Sequence, residues 1–107
     1  MNVITNHTIN STIALAALEE VLDPEIGLNV VDLGLIHQLD FDESGKRIFV
    51  SMTLTTQFCP MGETLTEAVK RVLERTFGSL DVQVDLCFDP PWTADRITER
   101  GKSFLNR

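Results

Sequence analysis

The chain has 107 residues, 43% of them hydrophobic and 23% charged, which suits one soluble globular domain with a modest core. Sixteen Asp and Glu against nine Lys and Arg give a formal net charge of −7, and an acidic chain without a basic stripe argues against nucleic-acid binding. No run approaches the roughly 18 apolar residues of a membrane span. The N-terminus also lacks a secretory signal, so we expect a cytoplasmic protein that does not contact a membrane.

The N-terminal part predicts a flexible tail over residues 1–10, followed by one domain over residues 11–107. Asn10 or Ser11 can cap a first helix. Apolar residues then recur at helical spacing at Ala14, Ala17, Leu18 and Val21. Pro24 ends this helix because the residue before a proline is disfavoured in the α region.

Two segments of alternating hydrophobicity predict a β-hairpin. The run LIHQLDF places on one side Leu35, His37, Leu39 and Phe41. The run RIFVSMTLT places on one side Ile48, Val50, Met52 and Leu54, and on the other Ser51, Thr53 and Thr55. The turn DESG connects them, with Gly45 expected to adopt a positive φ.

A second helix, a third strand and a last helix complete the pattern. The second helix presents apolar residues at Met61, Leu65, Ala68, Val69, Val72 and Leu73, and Gly78 ends it. The strand DVQVDLCF points inward Val82, Val84, Leu86 and Phe88. Thr93 can cap the last helix, in which Gly101 is unfavourable by about 1 kcal/mol.

The element order helix, strand, strand, helix, strand, helix predicts a single α/β (α+β) domain. The strand–helix–strand connection should be a right-handed crossover between parallel strands. We therefore predict a small mixed three-stranded sheet with helices mainly on one face.

Cys59 lies between the second strand and the second helix, directly before Pro60. Proline is favoured in the first turn of a helix, so Cys59 is expected at or near the N-cap. The free amides and the positive dipole end of a helix stabilise a thiolate there. A buried cysteine that packs as a small hydrophobe is the equally weighted alternative from spacing alone.

Oxygen-bearing side chains are candidates for a pocket near this cysteine, because ligands gather at the carboxyl ends of strands in α/β sheets. They are Asp23, Glu25, Asp32, Thr53 and Thr55. A solvated strand face is the competing interpretation of the threonines, and helix or loop capping that of the aspartates.

The other candidate side chains predict structural roles. Cys87 is expected to be a bystander, and His37 to be a half-buried histidine of its strand. Trp92 is predicted to anchor the last helix, with partner docking as the alternative. The chain has no CxxC pair and no Cys/His cluster, so it does not close a zinc site of usual spacing.

Three blocks of the chain, taken together and in this order, resemble the small iron–sulfur cluster assembly domain family. They are LDPEIGLNVVDLGLI, VSMTLTTQFCPMGETL and DPPWTADRITERGKSFL. The family includes SufT- and PaaD-type proteins and the N-terminal domain of some Mrp/ApbC-like ATPases. The resemblance runs from about Ile13 to Leu105.

The resemblance implies an accessory factor in iron–sulfur cluster assembly or maturation, without enzymatic activity of its own. It maps the family's cysteine onto Cys59 as a transient metal- or sulfur-contacting thiolate, and the family's acidic and threonine positions onto the candidate pocket. The family often carries a small residue before this cysteine, whereas the chain has Phe58; the bulky ring either narrows the approach or contacts a partner.

One cysteine cannot hold a four-thiolate cluster, so an iron–sulfur cluster or iron would be labile, shared in a homodimer, or completed by a partner. The expected partners are the assembly machinery and client apoproteins. A non-metal adaptor that docks clients, with contacts through Phe58 and Trp92, is the alternative function. A thiol enzyme with Cys59 as nucleophile and His37 as base is the third.

Overall fold

The computed structural model describes residues 3–55, 62–89 and 91–106. Four strands form one mixed sheet in the order β1-β2-β3-β4. The strands are β1 (Ile4–Thr5), β2 (Ile36–Asp42), β3 (Arg47–Met52) and β4 (Asp81–Leu86). The helices are α1 (Thr8–Leu18), α2 (Gly62–Thr76) and α3 (Glu99–Leu105), with a 3₁₀ turn at Ala94–Arg96.

The central hairpin and the crossover agree with the sequence prediction. β2 and β3 pair antiparallel, and β4 pairs parallel with β3 after α2. The alternation in β3 buries Ile48, Val50, Met52 and, just beyond the strand, Leu54. The prediction of an α+β domain with a mixed sheet is therefore confirmed.

The prediction of a three-stranded sheet was wrong, because β1 adds a fourth strand parallel to β2. β1 lies inside residues 1–10, the segment predicted as a flexible tail. The amide of Asn6 continues the pairing, since its Nδ2 donates to the Phe41 carbonyl (3.0 Å) and its Oδ1 accepts from the Phe41 N–H (2.8 Å). A strand of two residues is too short for an alternation pattern, so the sequence gives no signal for it.

The first helix also begins earlier than Asn10 or Ser11. His7 is its N-cap, and the imidazole Nδ1 accepts from the Asn10 N–H at 3.1 Å. Helix capping by an imidazole nitrogen was not anticipated, because Ser, Thr, Asp and Asn are the usual N-cap residues.

Two further local predictions were wrong. The residue with positive φ in the β2–β3 turn is Lys46 (φ 56°), not Gly45. Gly45 is instead needed for space, because an added Cβ would collide with the carboxylate of Asp42, which accepts the Gly45 N–H. The last helix begins at Glu99 with Thr98 as its N-cap, while Thr93 precedes only the 3₁₀ turn.

The core lies on one face of the sheet. Buried there are Leu39 and Phe41 of β2 and Ile48 and Val50 of β3. α1 and α2 contact each other, and α2 contacts β4. Val84 and Leu86 lie on the inward face of β4, as predicted, in register with Val50 and Met52. Because β4 lies at the sheet's end, Val84 is only half-buried and Leu86 is 43% exposed. None of the helices in the described ranges has the length and hydrophobicity to traverse a lipid bilayer.

Candidate functional site

The carboxyl ends of the parallel strands β3 and β4 meet at one edge of the sheet, which we call the carboxyl edge (residues 53–55 and 86–89). The chain enters β2 at this edge as well, since the Thr53 N–H donates to the Leu35 carbonyl at 2.8 Å. The Cys87 N–H donates to the Met52 carbonyl at 2.8 Å and continues the β3–β4 pairing. Loops are free to hold polar groups at such an edge.

Cys59 and Phe58 lie outside the described residues, so the N-cap position expected for Cys59 stays a prediction. The structure does place the chain on both sides of their segment. Leu54 lies before it and Gly62, the first residue of α2, after it; a Cβ added to Gly62 would approach Leu54 Cδ1 to 2.8 Å. Both ends of the Cys-Pro segment therefore lie together at the carboxyl edge.

Asp23 is 3% exposed and closes the turn that follows α1. Its Oδ1 accepts from the backbone N–H of Glu25 (2.9 Å) and of Ile26 (3.3 Å). Its own N–H donates to the Leu28 carbonyl at 3.0 Å. Glu25 is exposed in this turn, so the two acidic residues differ sharply in environment.

Asp32 is 4% exposed and has the densest set of hydrogen bonds near the site. Its Oδ1 accepts from the hydroxyl of Thr98 at 2.8 Å. Its Oδ2 accepts from Asn29 Nδ2 (2.8 Å) and from Arg100 Nε (3.0 Å) and Nη2 (2.9 Å). Both carboxylate oxygens of Asp32 are thus engaged by donors of the chain itself.

These donors set the ionisation of Asp32. Burial alone would raise the pKa of its carboxyl group. The hydrogen bonds from Asn29, Thr98 and Arg100, with the charge of Arg100, outweigh burial and lower the pKa of Asp32 below its usual value. Asp32 is therefore an ion at neutral pH, paired with the guanidinium of Arg100.

The segment from Trp92 to Gly101 is bound along the loop at residues 32–34. The indole N–H of Trp92 donates to the Leu33 carbonyl at 2.6 Å, and Arg96 Nε donates to the Gly34 carbonyl at 3.0 Å. The Thr98 N–H donates to the Asp32 carbonyl at 2.9 Å. Trp92 is half-buried and packs against the core, so the structure supports its predicted anchoring role.

Two glycines make this close approach feasible. Gly34 has φ 76°, and an added Cβ would collide with the backbone of Arg96. Gly101 lies inside α3 with its Cα facing the Asp32 carbonyl, which an added Cβ would approach to 3.0 Å. The helix tolerates this unfavourable glycine because a side chain there would separate α3 from the loop.

The threonines at the end of β3 occupy different environments. Thr53 is fully buried, which contradicts the competing interpretation of a solvated strand face at this position. The loop carrying Leu35 lies against it and accepts its N–H. Thr55 is half-buried and is the last described residue before the Cys-Pro segment.

His37 is half-buried, as the sequence predicted, but the alternation pattern did not predict its place in a strand irregularity. The register of β2 against β3 shifts between Ile36 and Gln38, so His37 is the extra residue of an irregularity. Its Nε2 is buried and has no hydrogen-bond partner in the part of the chain that the structure describes. Burial, and then the positive charge of Arg96, lower the pKa of His37, so its imidazole is neutral at pH 7.

The candidate pocket residues do not share one cavity among the described residues. A groove of about 550 Å³ lies between the turn after α1 and α3, and of the five candidates only Asp32 lines it. Within residues 3–55, 62–89 and 91–106, no group of three or more His, Cys, Asp or Glu side chains could hold a metal ion. The Cys87 thiol, for its part, donates to the Asp89 carbonyl at 3.1 Å.

Fold and site define a class: small α+β domains with a single Cys-Pro step between a sheet strand and the following helix. The chain belongs to the iron–sulfur cluster assembly protein family, whose model matches residues 13–86. The family resemblance predicted from the three sequence blocks is thus confirmed.

Curated relatives and solved structures agree with this assignment. The chain is 38% identical over 91 residues to the Fe-S protein maturation auxiliary factor YitW of Bacillus subtilis, covering 85% of this chain and 88% of the relative. It is 39% identical over 85 residues to the Fe-S protein maturation auxiliary factor SufT of Staphylococcus aureus, covering 79% and 96%. The crystal structure of a domain of unknown function from Bacillus anthracis matches with a TM-score of 0.83 at 30% identity, covering 94% and 98%.

Proposed function

We propose that this protein is an accessory factor in the assembly of iron–sulfur clusters or the maturation of iron–sulfur proteins. The observation that carries the proposal is the family match over residues 13–86, together with relatives named as maturation auxiliary factors over most of their own length. The protein acts in the cytoplasm, without catalysis of its own. Its partners are components of the assembly machinery and client apoproteins.

Cys59 supplies the thiolate that contacts the metal or sulfur. Its segment follows Thr55 and precedes a 15-residue helix that begins at Gly62, and the positive end of that helix favours an anion. A single thiolate does not complete a cluster. The cluster or iron is therefore a labile cargo, shared between two copies or completed by a ligand of the partner.

The buried aspartates act by holding the loops around this thiolate. Asp23 fixes the turn after α1, and Asp32 fixes the loop that lies against Thr53. Glu25 and Thr55, which are more accessible, remain the candidates for direct contact with cargo.

The test is reconstitution of the purified protein with ferrous iron and sulfide, comparing Cys59→Ala with Cys87→Ala. We expect the charge-transfer absorption of a thiolate-bound cluster in the wild type and in Cys87→Ala, and its loss in Cys59→Ala. The same two variants are then introduced into cells lacking the protein, and the activity of an iron–sulfur enzyme is measured. Equal binding and equal complementation by both variants would contradict the role of Cys59.

An adaptor that binds clients without metal is the second candidate. The structure supports it because part of Trp92 stays accessible at the anchored segment, and Phe58 precedes the cysteine. In that case substitution of Phe58 or Trp92 abolishes co-purification of a partner, while Cys59→Ala leaves it intact.

A further inference from the structure

β4 forms one end of the sheet, and its backbone presents an unpaired edge. The N–H groups of Asp81 and Cys87 donate to carbonyls on the β3 side, those of Lys46 and Met52, both at 2.8 Å. Because backbone groups alternate in direction along a strand, Val82, Val84 and Leu86 present their N–H and C=O groups away from β3. These outward groups meet no backbone partner within the described ranges.

A groove follows this edge. It has a volume of about 390 Å³ and lies between β4 and one face of α2. Its lining residues are Thr66, Glu67, Lys70, Val82, Gln83 and Val84. A segment paired with this edge would direct alternate side chains to the face of the sheet on which Val84 is half-buried and Leu86 is 43% exposed, whereas Val82 is buried. These two partly exposed apolar side chains favour apolar residues at every second position of the segment.

The opposite side of the same edge is acidic. Asp81 and Asp85 are exposed on the sheet face opposite to that of Val82 and Val84, and Asp40 lies on that face two strands away, opposite Phe49. Arg47 is the cation paired across from Asp81. The side chains of an added strand that point to this face would meet carboxylates, so basic residues are favoured there.

We propose that the outer edge of β4 binds an extended segment of a partner protein in which apolar and basic residues alternate. Binding adds a strand to the sheet: the backbone pairs with Val82, Val84 and Leu86, and the basic side chains pair with Asp81 and Asp85. A second copy of this chain is disfavoured as the occupant. Two β4 strands side by side bring Asp81 and Asp85 of both copies onto one face, and like charges on adjacent strands repel.

This inference deepens the proposed function by naming the chemistry of the partner, and it does not depend on Cys59. The test uses a short capped peptide of alternating lysine and valine, with an alternating glutamate and valine peptide as control. Binding is followed by NMR of the nitrogen-labelled full chain and by amide hydrogen exchange. We expect the basic peptide to protect the amides of Val82, Val84 and Leu86, and to bind about tenfold more tightly than the acidic peptide, the order expected when two exposed ion pairs replace two repulsive pairs.

Variants separate the two contributions. Val84→Pro removes one outward N–H, and proline is tolerated on an edge strand, so this variant should lose peptide binding with an unchanged circular dichroism spectrum. Asp85→Lys should reverse the preference between the two peptides, whereas Asp95→Lys, which changes an exposed carboxylate on the 3₁₀ turn, should not. Should Val84→Pro fail to fold, the Asp85→Lys comparison still decides.

Four results overturn the proposal: equal binding of both peptides, no protection of the three amides by the basic peptide, chemical-shift changes centred on Phe49 instead, or concentration-dependent protection without peptide. The last would assign the edge to a second copy. Cys59→Ala should bind the basic peptide as the wild type does. A negative result for peptide binding at the outer edge of β4 is therefore distinguishable from a negative result for cluster binding by Cys59.

Discussion

The replacement Asp32→Asn tests whether the buried carboxylate holds the last helix onto the site. The new side chain has nearly the same shape but no charge. Its oxygen can still accept from Asn29 and Arg100, and its amide then faces the hydroxyl of Thr98, which already accepts the N–H of Gly101 at 3.1 Å. The substitution therefore reverses one hydrogen bond and removes the charge from the others.

The expected loss follows from those bonds. A hydrogen bond to a charged group contributes about 1.5–3 kcal/mol and a neutral one about 0.5–1.5 kcal/mol. Arg100 is 64% exposed and rehydrates, so we count only the buried bonds to Asn29 and Thr98. The free energy of unfolding should fall by about 2 kcal/mol, and the melting temperature by roughly 10 °C for a domain of this length.

Thermal and urea unfolding at pH 7 measure this loss, with Asp95→Asn as the matched control. Asp95 is exposed on the neighbouring 3₁₀ turn, so its variant changes the same charge without a buried network. Because the pKa of Asp32 is lowered in the folded state, its contribution is complete above the ordinary carboxyl pKa and is lost as the pH falls through the folded value. The difference between the wild type and Asp32→Asn should therefore begin to narrow below about pH 4 and should close only as the pH falls through the lowered pKa of the folded state. The reasoning is refuted if both variants stay within about 0.5 kcal/mol of the wild type at pH 7.

Two other positions give equally direct tests. Gly34→Ala should lower the free energy of unfolding by at least about 2 kcal/mol in urea unfolding, because its Cβ displaces the backbone of Arg96. Gly27→Ala, at a similar φ but with open space around it, should lower it by only about 1 kcal/mol. Equal losses of stability in the two variants would contradict the steric argument. His37→Asn should flatten the decline in melting temperature between about pH 6.5 and pH 5, since the lowered pKa of His37 keeps it neutral when the unfolded chain takes up a proton. A decline in the variant as steep as that of the wild type would contradict this role of His37.

The sequence predicts those parts of the fold that depend on local apolar periodicity. Val50 and Met52 of β3, like Leu65 and Val69 of α2, follow an uninterrupted period, and each is buried as expected. Val84 is less buried than the pattern predicts. Alternation shows which face of a strand is apolar, but it does not show whether the strand lies in the middle or at the end of the sheet. An end strand has a neighbour on one side only, and its inward face is correspondingly less covered.

The polar contacts around the candidate site were beyond reach of the sequence. Asp32 was singled out as a candidate, but its partners Thr98 and Arg100 are 66 and 68 positions away, and no local pattern links them. The same holds for the pairing of Asn6 with Phe41, which fixes β1. The partners of such a side chain are set by the tertiary structure. The sequence therefore shows that an aspartate is present at position 32 but not which residues it binds.

The outer edge of β4 leads to the candidate site, because β4 ends at the carboxyl edge. A strand bound along Val82, Val84 and Leu86 runs parallel or antiparallel to β4, and in either direction one of its ends reaches the carboxyl edge. The chain that follows β3 reaches the same edge at Thr55, the last described residue before the Cys59 segment, and the loop fixed by Asp32 lies against Thr53. A partner segment held on the β4 edge would thus bring the residues that follow or precede it to the carboxyl edge, where both ends of the Cys-Pro segment lie. The strand pairing that we propose for selecting the partner would therefore also position that partner at the carboxyl edge.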